Sequence, residues 1–270
     1  MAKVLITEKL AETGLELLRA RGHDVQVHLD LSPIELRSSI AEVDALIIRS
    51  ATKVDAELLD AAKRLQVVGR AGVGLDNVDT AAATSRGILV CNAPESNVVS
   101  AAEHSVGLLL ALARNVAQAH GALVEGRWER SLWTGVELLH KTIGIVGLGR
   151  VGRLVAQRLS GFDVQILAFD PFVSSESARE VNVEMVGLDE LLARSDFVTV
   201  HLPKTEDTVG LFDASRFTKF KQGAFLVNAA RGGVVVEDDL ADALDKGHLA
   251  GAALDVFDTC LLYTSPSPRD

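Results

Sequence analysis

Thr142-Ile143-Gly144-Ile145-Val146-Gly147-Leu148-Gly149-Arg150-Val151-Gly152 decides how the rest of the chain is read. Its first five residues are apolar after Thr142 and mostly β-branched, the composition of a buried strand. Three glycines then follow at the spacing G-x-G-x-x-G, and an amphipathic stretch over residues 150–159 predicts a helix. Gly147 allows the tight turn after the strand. Gly149 lets backbone N–H groups approach a pyrophosphate, and Gly152 lets the helix pack on the sheet. The helix N-terminus adds partial positive charge beside the phosphates. Asp170 ends the next apolar run, about 20 residues further on. A carboxylate there accepts from both ribose hydroxyls and repels a 2′-phosphate, which selects NAD over NADP. The competing reading is a structural strand-to-helix turn followed by a solvent-facing Asp.

Outward from this stretch, strand and helix signals alternate in both directions. Downstream, strands are expected at residues 164–169, 197–201, 224–228 and 250–254, with helices at 189–194, 214–219 and 237–246. Upstream, strands are expected at 3–7, 24–28, 45–48, 66–68 and 88–91, with helices at 11–21, 33–40 and 55–63. Short β-branched runs set between helices predict parallel strands covered on both faces. The turn-rich run Asn92-Ala93-Pro94-Glu95-Ser96-Asn97 marks a boundary. Beyond it a long apolar helix is expected over residues 100–124, with Ser100 as N-cap and Glu103 completing a capping box. Residues 126–139, which hold both tryptophans, read as an ordered loop. The prediction is an α/β chain of two doubly wound parallel-sheet domains, residues 1–97 and 98–259. Residues 260–270 have no helical or strand period and hold the only Tyr, so they read as an unstructured, non-native tail. A genuine Ser/Pro tail is the alternative.

Composition bounds the function. The chain has 270 residues, 48% hydrophobic and 24% charged, as a globular protein does. A net charge of −10 argues against a nucleic-acid partner, and 4% aromatic residues argue against stacking platforms for single strands. A small anionic ligand stays compatible, because salt screens distant charge. No apolar run is long enough to cross a membrane, and the N-terminus lacks the apolar core of a signal peptide. Two cysteines make neither a disulfide framework nor a four-thiolate zinc site, and no metal site is read. The expected partner is a small molecule, in a reducing cytoplasm.

Several strand ends carry chemistry. Asn228-Ala229-Ala230-Arg231-Gly232-Gly233 follows an expected strand, where ligands of open α/β sheets bind. The planar guanidinium of Arg231 suits a carboxylate or a developing alkoxide, although a loop arginine alone reads as surface charge. Asp255, in Gly251-Ala252-Ala253-Leu254-Asp255-Val256-Phe257, either accepts from a nicotinamide carboxamide or caps the following turn. Arg49-Ser50-Ala51-Thr52 and Arg70-Ala71-Gly72-Val73-Gly74 are strand-end loops with donors and free backbone N–H groups, suited to an anion. In isolation they read as turns with solvated arginines.

Taken in order, RAGVGLDNVD (70–79), NAPESNVVSAAEH (92–104), GLGRVG with Asp170, NAARGG and GAALDVF resemble the D-isomer-specific 2-hydroxyacid dehydrogenases over residues 1–259. The resemblance implies a flavodoxin-like substrate domain and a Rossmann NAD domain facing across a cleft. It also implies hydride transfer from C2 of a phosphorylated 2-hydroxy acid to NAD. By motif, Arg231 would bind the substrate carboxylate and polarise the C2 oxygen. Gly147, Gly149, Arg150, Val151, Gly152, Asp170, Leu202, Ala229 and Asp255 would contact NAD. Val73 and Gly74 fall in a loop reaching substrate and cofactor, and Arg49 and Ser50 where the substrate anion is held. Asn97, Ser100 and Glu103 take a structural role, and a homo-oligomer is implied for the full-length protein.

One departure matters. Family members continue DVF-x-x-E-P, and that Glu orients a His which exchanges the C2 hydroxyl proton. Here Cys260 stands at the Glu position and His248 is the last histidine. His201 and His248 match no such motif and read as structural. The expectation is a fold incomplete at its C-terminus and a chain impaired in turnover. The competing readings are a hydroxypyruvate or glyoxylate reductase within the family, and a non-catalytic NAD sensor outside it.

Overall fold

A computed structural model of the chain describes residues 1–259; the expectations for Cys260 and the tail lie outside them. The residues form two units, Met1–Asn97 and the part from Val98 onward, each described by itself.

The first unit runs β1 (Lys3–Ile6), α1 (Glu12–Ala20), β2 (Asp24–Val27), α2 (Pro33–Ile40), β3 (Ala45–Ile48), α3 (Ala56–Ala61), β4 (Val67–Arg70), α4 (Thr80–Ser85) and β5 (Leu89–Asn92). Its sheet is parallel in the order β2-β1-β3-β4-β5, the flavodoxin-like arrangement. Alternation along β1 shows how both faces are covered. Val4 and Ile6 pack with Leu15 of α1, whereas Leu5 packs with residues of α2, α3 and α4. Helix starts follow local chemistry: Ser32 and Glu35 form a capping box with Pro33 in the first turn, and Asp55 and Asp79 cap α3 and α4.

The second unit begins with α5 (Val98–Ala113) and α6 (Val116–Val124). It continues through β6 (Thr142–Val146), α7 (Arg150–Leu159), β7 (Gln165–Phe169), α8 (Ser175–Arg179), β8 (Glu184–Met185) and α9 (Leu188–Arg194). Then come β9 (Phe197–Val200), α10 (Ala214–Phe217), β10 (Ala224–Asn228), α11 (Glu237–Asp245) and β11 (Leu249–Leu254). All pairings are parallel, in the order β11-β10-β9-β6-β7-β8. This is the dinucleotide-binding order, with its reversal between β6 and β9. Ile143 and Ile145 of β6 pack with α5 and α7 on one face; Val198 and Val200 of β9 pack with α9, α10 and α11 on the other. The doubly wound α/β prediction holds.

Two local expectations need correction. The helix expected over residues 100–124 is two helices, because Asn115 adopts a left-handed conformation at φ +51°, which Asn tolerates better than most residues. Ser100 is not an N-cap: the chain turns into α5 at Val98, leaving Ser100 inside its first turn. Glu103 reaches Arg158 of α7 at 3.0 Å instead of closing a capping box. The short elements α4, α8 and β8 add to the predicted alternation. No helix among the described residues is long and apolar enough to cross a membrane.

Candidate cofactor and substrate site

Because every strand of the second sheet runs the same way, the segments after β6, β7, β9, β10 and β11 share one carboxyl edge. Gly147, at φ +98°, makes the turn after β6, and a Cβ there would lie 2.8 Å from the His201 carbonyl oxygen. At Gly152 a Cβ would lie 2.1 Å from the Gly147 carbonyl oxygen, so the third glycine seats α7 on the turn. Gly149 differs: a Cβ added there meets nothing within 4 Å, leaving open space over the exposed middle of the turn. Gly149 is also the N-cap of α7 and brings no capping side chain. An uncapped helix N-terminus under an open, backbone-lined turn fits a pyrophosphate.

Asp170 sits one strand over, at the end of β7. Its Oδ2 accepts the Leu148 N–H at 2.9 Å and its Oδ1 accepts the Phe172 N–H at 2.9 Å. A carboxylate offers about four acceptor positions, so these bonds aim it without exhausting it. That capacity suits a pair of ribose hydroxyls. The half-buried Leu202, after β9, has its Cδ2 3.2 Å from the Cβ position of Gly147. Arg150 and Val151 open α7 beside Gly149.

The loop after β10 is folded around Asn228, whose side chain is buried. Its Oδ1 accepts the Ala230 N–H at 3.1 Å and its Nδ2 donates to the Arg231 carbonyl at 3.1 Å. This wraps Ala229 and Ala230 and presents Arg231, whose Nη1 donates to the Ala230 carbonyl at 2.8 Å. Asp255 follows β11 and donates its N–H to the Asn228 carbonyl at 3.0 Å. Its carboxylate faces His104 of α5, with Nε2 to Oδ1 at 3.2 Å. Asn228 and His104 lie in the quoted motifs, yet the sequence reading gave neither a role. The partner of His104 comes from another element, so no local pattern marks it, whereas Asn228 bonds two and three residues ahead, a spacing the motif itself carries.

His201 and His248 tie structure together. His201 Nε2 lies 3.0 Å from Thr199 Oγ1, and burial pushes the imidazole down to about 4, so it is neutral at pH 7. His248 bridges Gln222 Oε1 at 2.9 Å and the Phe220 carbonyl at 3.1 Å.

In the first unit the strand order reverses between β1 and β3, and the loops after β3 and β4 lie side by side. The backbone N–H groups expected to be free after β3 are taken. Glu8, just past β1, accepts from Arg49 N at 2.8 Å, Thr52 N at 3.0 Å and Ala51 N at 3.1 Å. The chain thus supplies its own anion to this loop, which leaves the exposed Arg49 and Ser50 side chains as what it presents outward. Partial burial pushes the Glu8 carboxyl up, but the bonds from Thr52, Ala51 and Arg49 outweigh it and hold the group below its ordinary value. Asn77 ties the loops together, donating to the Arg49 carbonyl at 2.8 Å and the Thr52 carbonyl at 2.6 Å. Val73 is held through its carbonyl by Asn92 Nδ2 at 2.7 Å, with Gly74 next to it. A cavity of about 340 Å³ opens beside Thr7, Glu8 and Thr52.

A six-stranded parallel sheet with a glycine turn, an aimed carboxylate and an arginine loop on one edge defines an NAD-binding α/β protein. The sequence model of the "D-isomer specific 2-hydroxyacid dehydrogenase, NAD binding domain" matches residues 106–268. The chain belongs to the D-isomer-specific 2-hydroxyacid dehydrogenase family. It is 52% identical over 265 residues to a D-3-phosphoglycerate dehydrogenase of Mycobacterium tuberculosis, covering 97% of this chain and 50% of the relative. It is 48% identical over 256 residues to a D-3-phosphoglycerate dehydrogenase of Archaeoglobus fulgidus, covering 95% and 49%. It also resembles the crystal structure of an NAD-dependent formate dehydrogenase from Staphylococcus aureus in complex with NAD. That TM-score is 0.85 at 36% identity, over 100% of this chain and 84% of the other. The chain spans about half the length of the curated relatives it matches.

Proposed function

We propose that the chain is the substrate- and NAD-binding part of a D-3-phosphoglycerate dehydrogenase, which oxidises 3-phosphoglycerate to 3-phosphohydroxypyruvate at the first step of serine biosynthesis. The single observation that carries this is the shared carboxyl edge. Asp255, the Arg231 loop, the Gly147–Gly152 turn and Asp170 follow strands of that edge in this order, which supports a dinucleotide laid across it. With neighbouring strands about 4.8 Å apart, Arg231 after β10 is roughly 10 Å along the edge from the turn after β6. Asp170 lies one strand to the opposite side.

NAD, when bound, is the acceptor of the hydride that leaves C2. In this reading Asp170 grips the adenosine ribose, and the turn with Arg150 and Val151 holds the pyrophosphate. Leu202 and Ala229 border the cofactor, and Asp255 accepts from the carboxamide. Arg231 binds the substrate carboxylate and polarises the C2 oxygen. Arg49 and Ser50 hold the substrate anion, with Val73 and Gly74 bordering it. The names of the relatives and the match to their sequences support the phosphorylated substrate.

Association into a homo-oligomer is part of the proposal, supported by exposed Val116, Leu123, Val124, Trp128 and Leu132 on α6 and the loop after it. The functional test is a titration of the NADH-loaded protein with 3-phosphohydroxypyruvate and with unphosphorylated hydroxypyruvate. Tighter binding of the phosphorylated ligand is expected. Equal binding would favour a hydroxypyruvate or glyoxylate reductase instead.

A further inference from the structure

His104 stands outside the cofactor contacts assigned above, yet its imidazole reaches one of them. Its Nε2 lies 3.2 Å from Asp255 Oδ1, and the Asp255 side chain is only 16% exposed. We propose that His104 is a positioning residue that aims the Asp255 carboxylate at the carboxamide end of the dinucleotide. This deepens the cofactor reading above and rests on it.

The argument starts from what each partner is mounted on. His104 belongs to α5, a helix of 16 residues with Ala102, Ser105, Leu109 and Ala113 buried. Glu103 ties that helix to Arg158 of α7 at 3.0 Å, and Leu112 packs where a Cβ of Gly251 in β11 would be, 3.0 Å away. The imidazole is therefore carried on an element fixed to the sheet. Asp255 is held at its main chain by the Asn228 carbonyl, so its backbone cannot wander. The imidazole, 3.2 Å from Oδ1, favours one orientation of that side chain. A carboxylate accepts about four hydrogen bonds, so a donor on Oδ1 orients it and leaves capacity for an amide N–H. An incoming carboxamide then meets an acceptor that is already aimed, and less ordering is required on binding.

The reading separates the two ends of the cofactor. ADP-ribose carries the pyrophosphate and the adenosine ribose but no carboxamide, so it reports the glycine turn and Asp170 alone. Calorimetric titration of the full chain with NADH and with ADP-ribose is the experiment, on wild type, His104→Leu, His104→Gln, Asp255→Asn and the Leu/Asn double variant. His104→Leu is expected to weaken NADH about tenfold, the effect of one such hydrogen bond, and to leave ADP-ribose within about twofold. His104→Gln, whose amide can occupy the Nε2 position, is expected to recover most of the loss. The double variant is expected to bind NADH no more weakly than Asp255→Asn alone, because His104 acts only through that carboxylate. Unchanged NADH affinity in His104→Leu, a parallel loss of ADP-ribose, or additive effects in the double variant would overturn the proposal. Failure of the wild type to bind either ligand would instead remove the cofactor reading, and the role of His104 with it.

Discussion

Asp170 Oδ2 accepts the backbone N–H of Leu148 at 2.9 Å, so the carboxylate proposed to grip the ribose also braces the turn proposed to hold the pyrophosphate. Asp170→Ala removes both functions at once. NADH affinity is expected to fall tenfold or more, with stability lower by about 1–3 kcal/mol as the amide loses its partner. Asp170→Asn keeps a neutral acceptor and should narrow the preference for NADH over NADPH. Fluorescence titration with both nucleotides checks this, and an unchanged NADH-to-NADPH ratio in the variant would contradict it.

The glycines of the turn should separate stability from binding. In Gly152→Ala the new methyl would sit 2.1 Å from the Gly147 carbonyl oxygen, and backbone must move to admit it. A loss of about 2–4 kcal/mol is expected in urea unfolding. Gly149→Ala meets nothing within 4 Å, so it should cost only the weaker N-cap, about 1 kcal/mol or less. The same methyl would stand in the open space over the turn, and NADH affinity should drop. Equal unfolding midpoints for the two variants would refute this contrast.

Glu8 makes stability depend on pH in a predictable direction. Its carboxyl is held below the ordinary 4.5, so it binds a proton less readily in the folded chain than in the unfolded one. Its contribution is fully present above about 4.5 and is lost as pH falls through the lower folded value. Glu8→Gln should be less stable than wild type at pH 7, and the gap should close below that range. Urea melts of both proteins between pH 7 and pH 3 measure it; a gap that widens on acidification would reverse the sign.

Arg231→Ala should separate substrate from cofactor. Loss of a charge-assisted contact to a carboxylate is expected to weaken binding of 3-phosphohydroxypyruvate by about 10- to 100-fold. NADH affinity should remain near wild type, because the turn and Asp170 are untouched. Parallel loss of both ligands would place Arg231 in the cofactor site instead.

The pattern of β6 and its glycine turn was readable because each signal is local. Strand, turn and helix are written within eleven consecutive residues, and the carboxylate after β7 lies one βα unit on. The splitting of the expected 100–124 helix was less readable, since only the left-handed Asn115 interrupts an otherwise continuous apolar run. Ser100 and Glu103 have the spacing of a capping box, but an ion pair to Arg158 wins the glutamate.

What sequence alone determined is whatever depends on near neighbours: alternating periodicity, the glycine spacing, and through them two parallel sheets. What only the tertiary structure decided is whatever depends on strand order. Glu8 meets the Arg49–Thr52 loop because β1 and β3 are adjacent, although β2 intervenes along the chain. His104 meets Asp255 because α5 packs on the edge strand β11, far along the chain from it. Such partners are chosen by which faces must be buried together. Side-chain order along the chain carries no record of that choice until the sheet has formed.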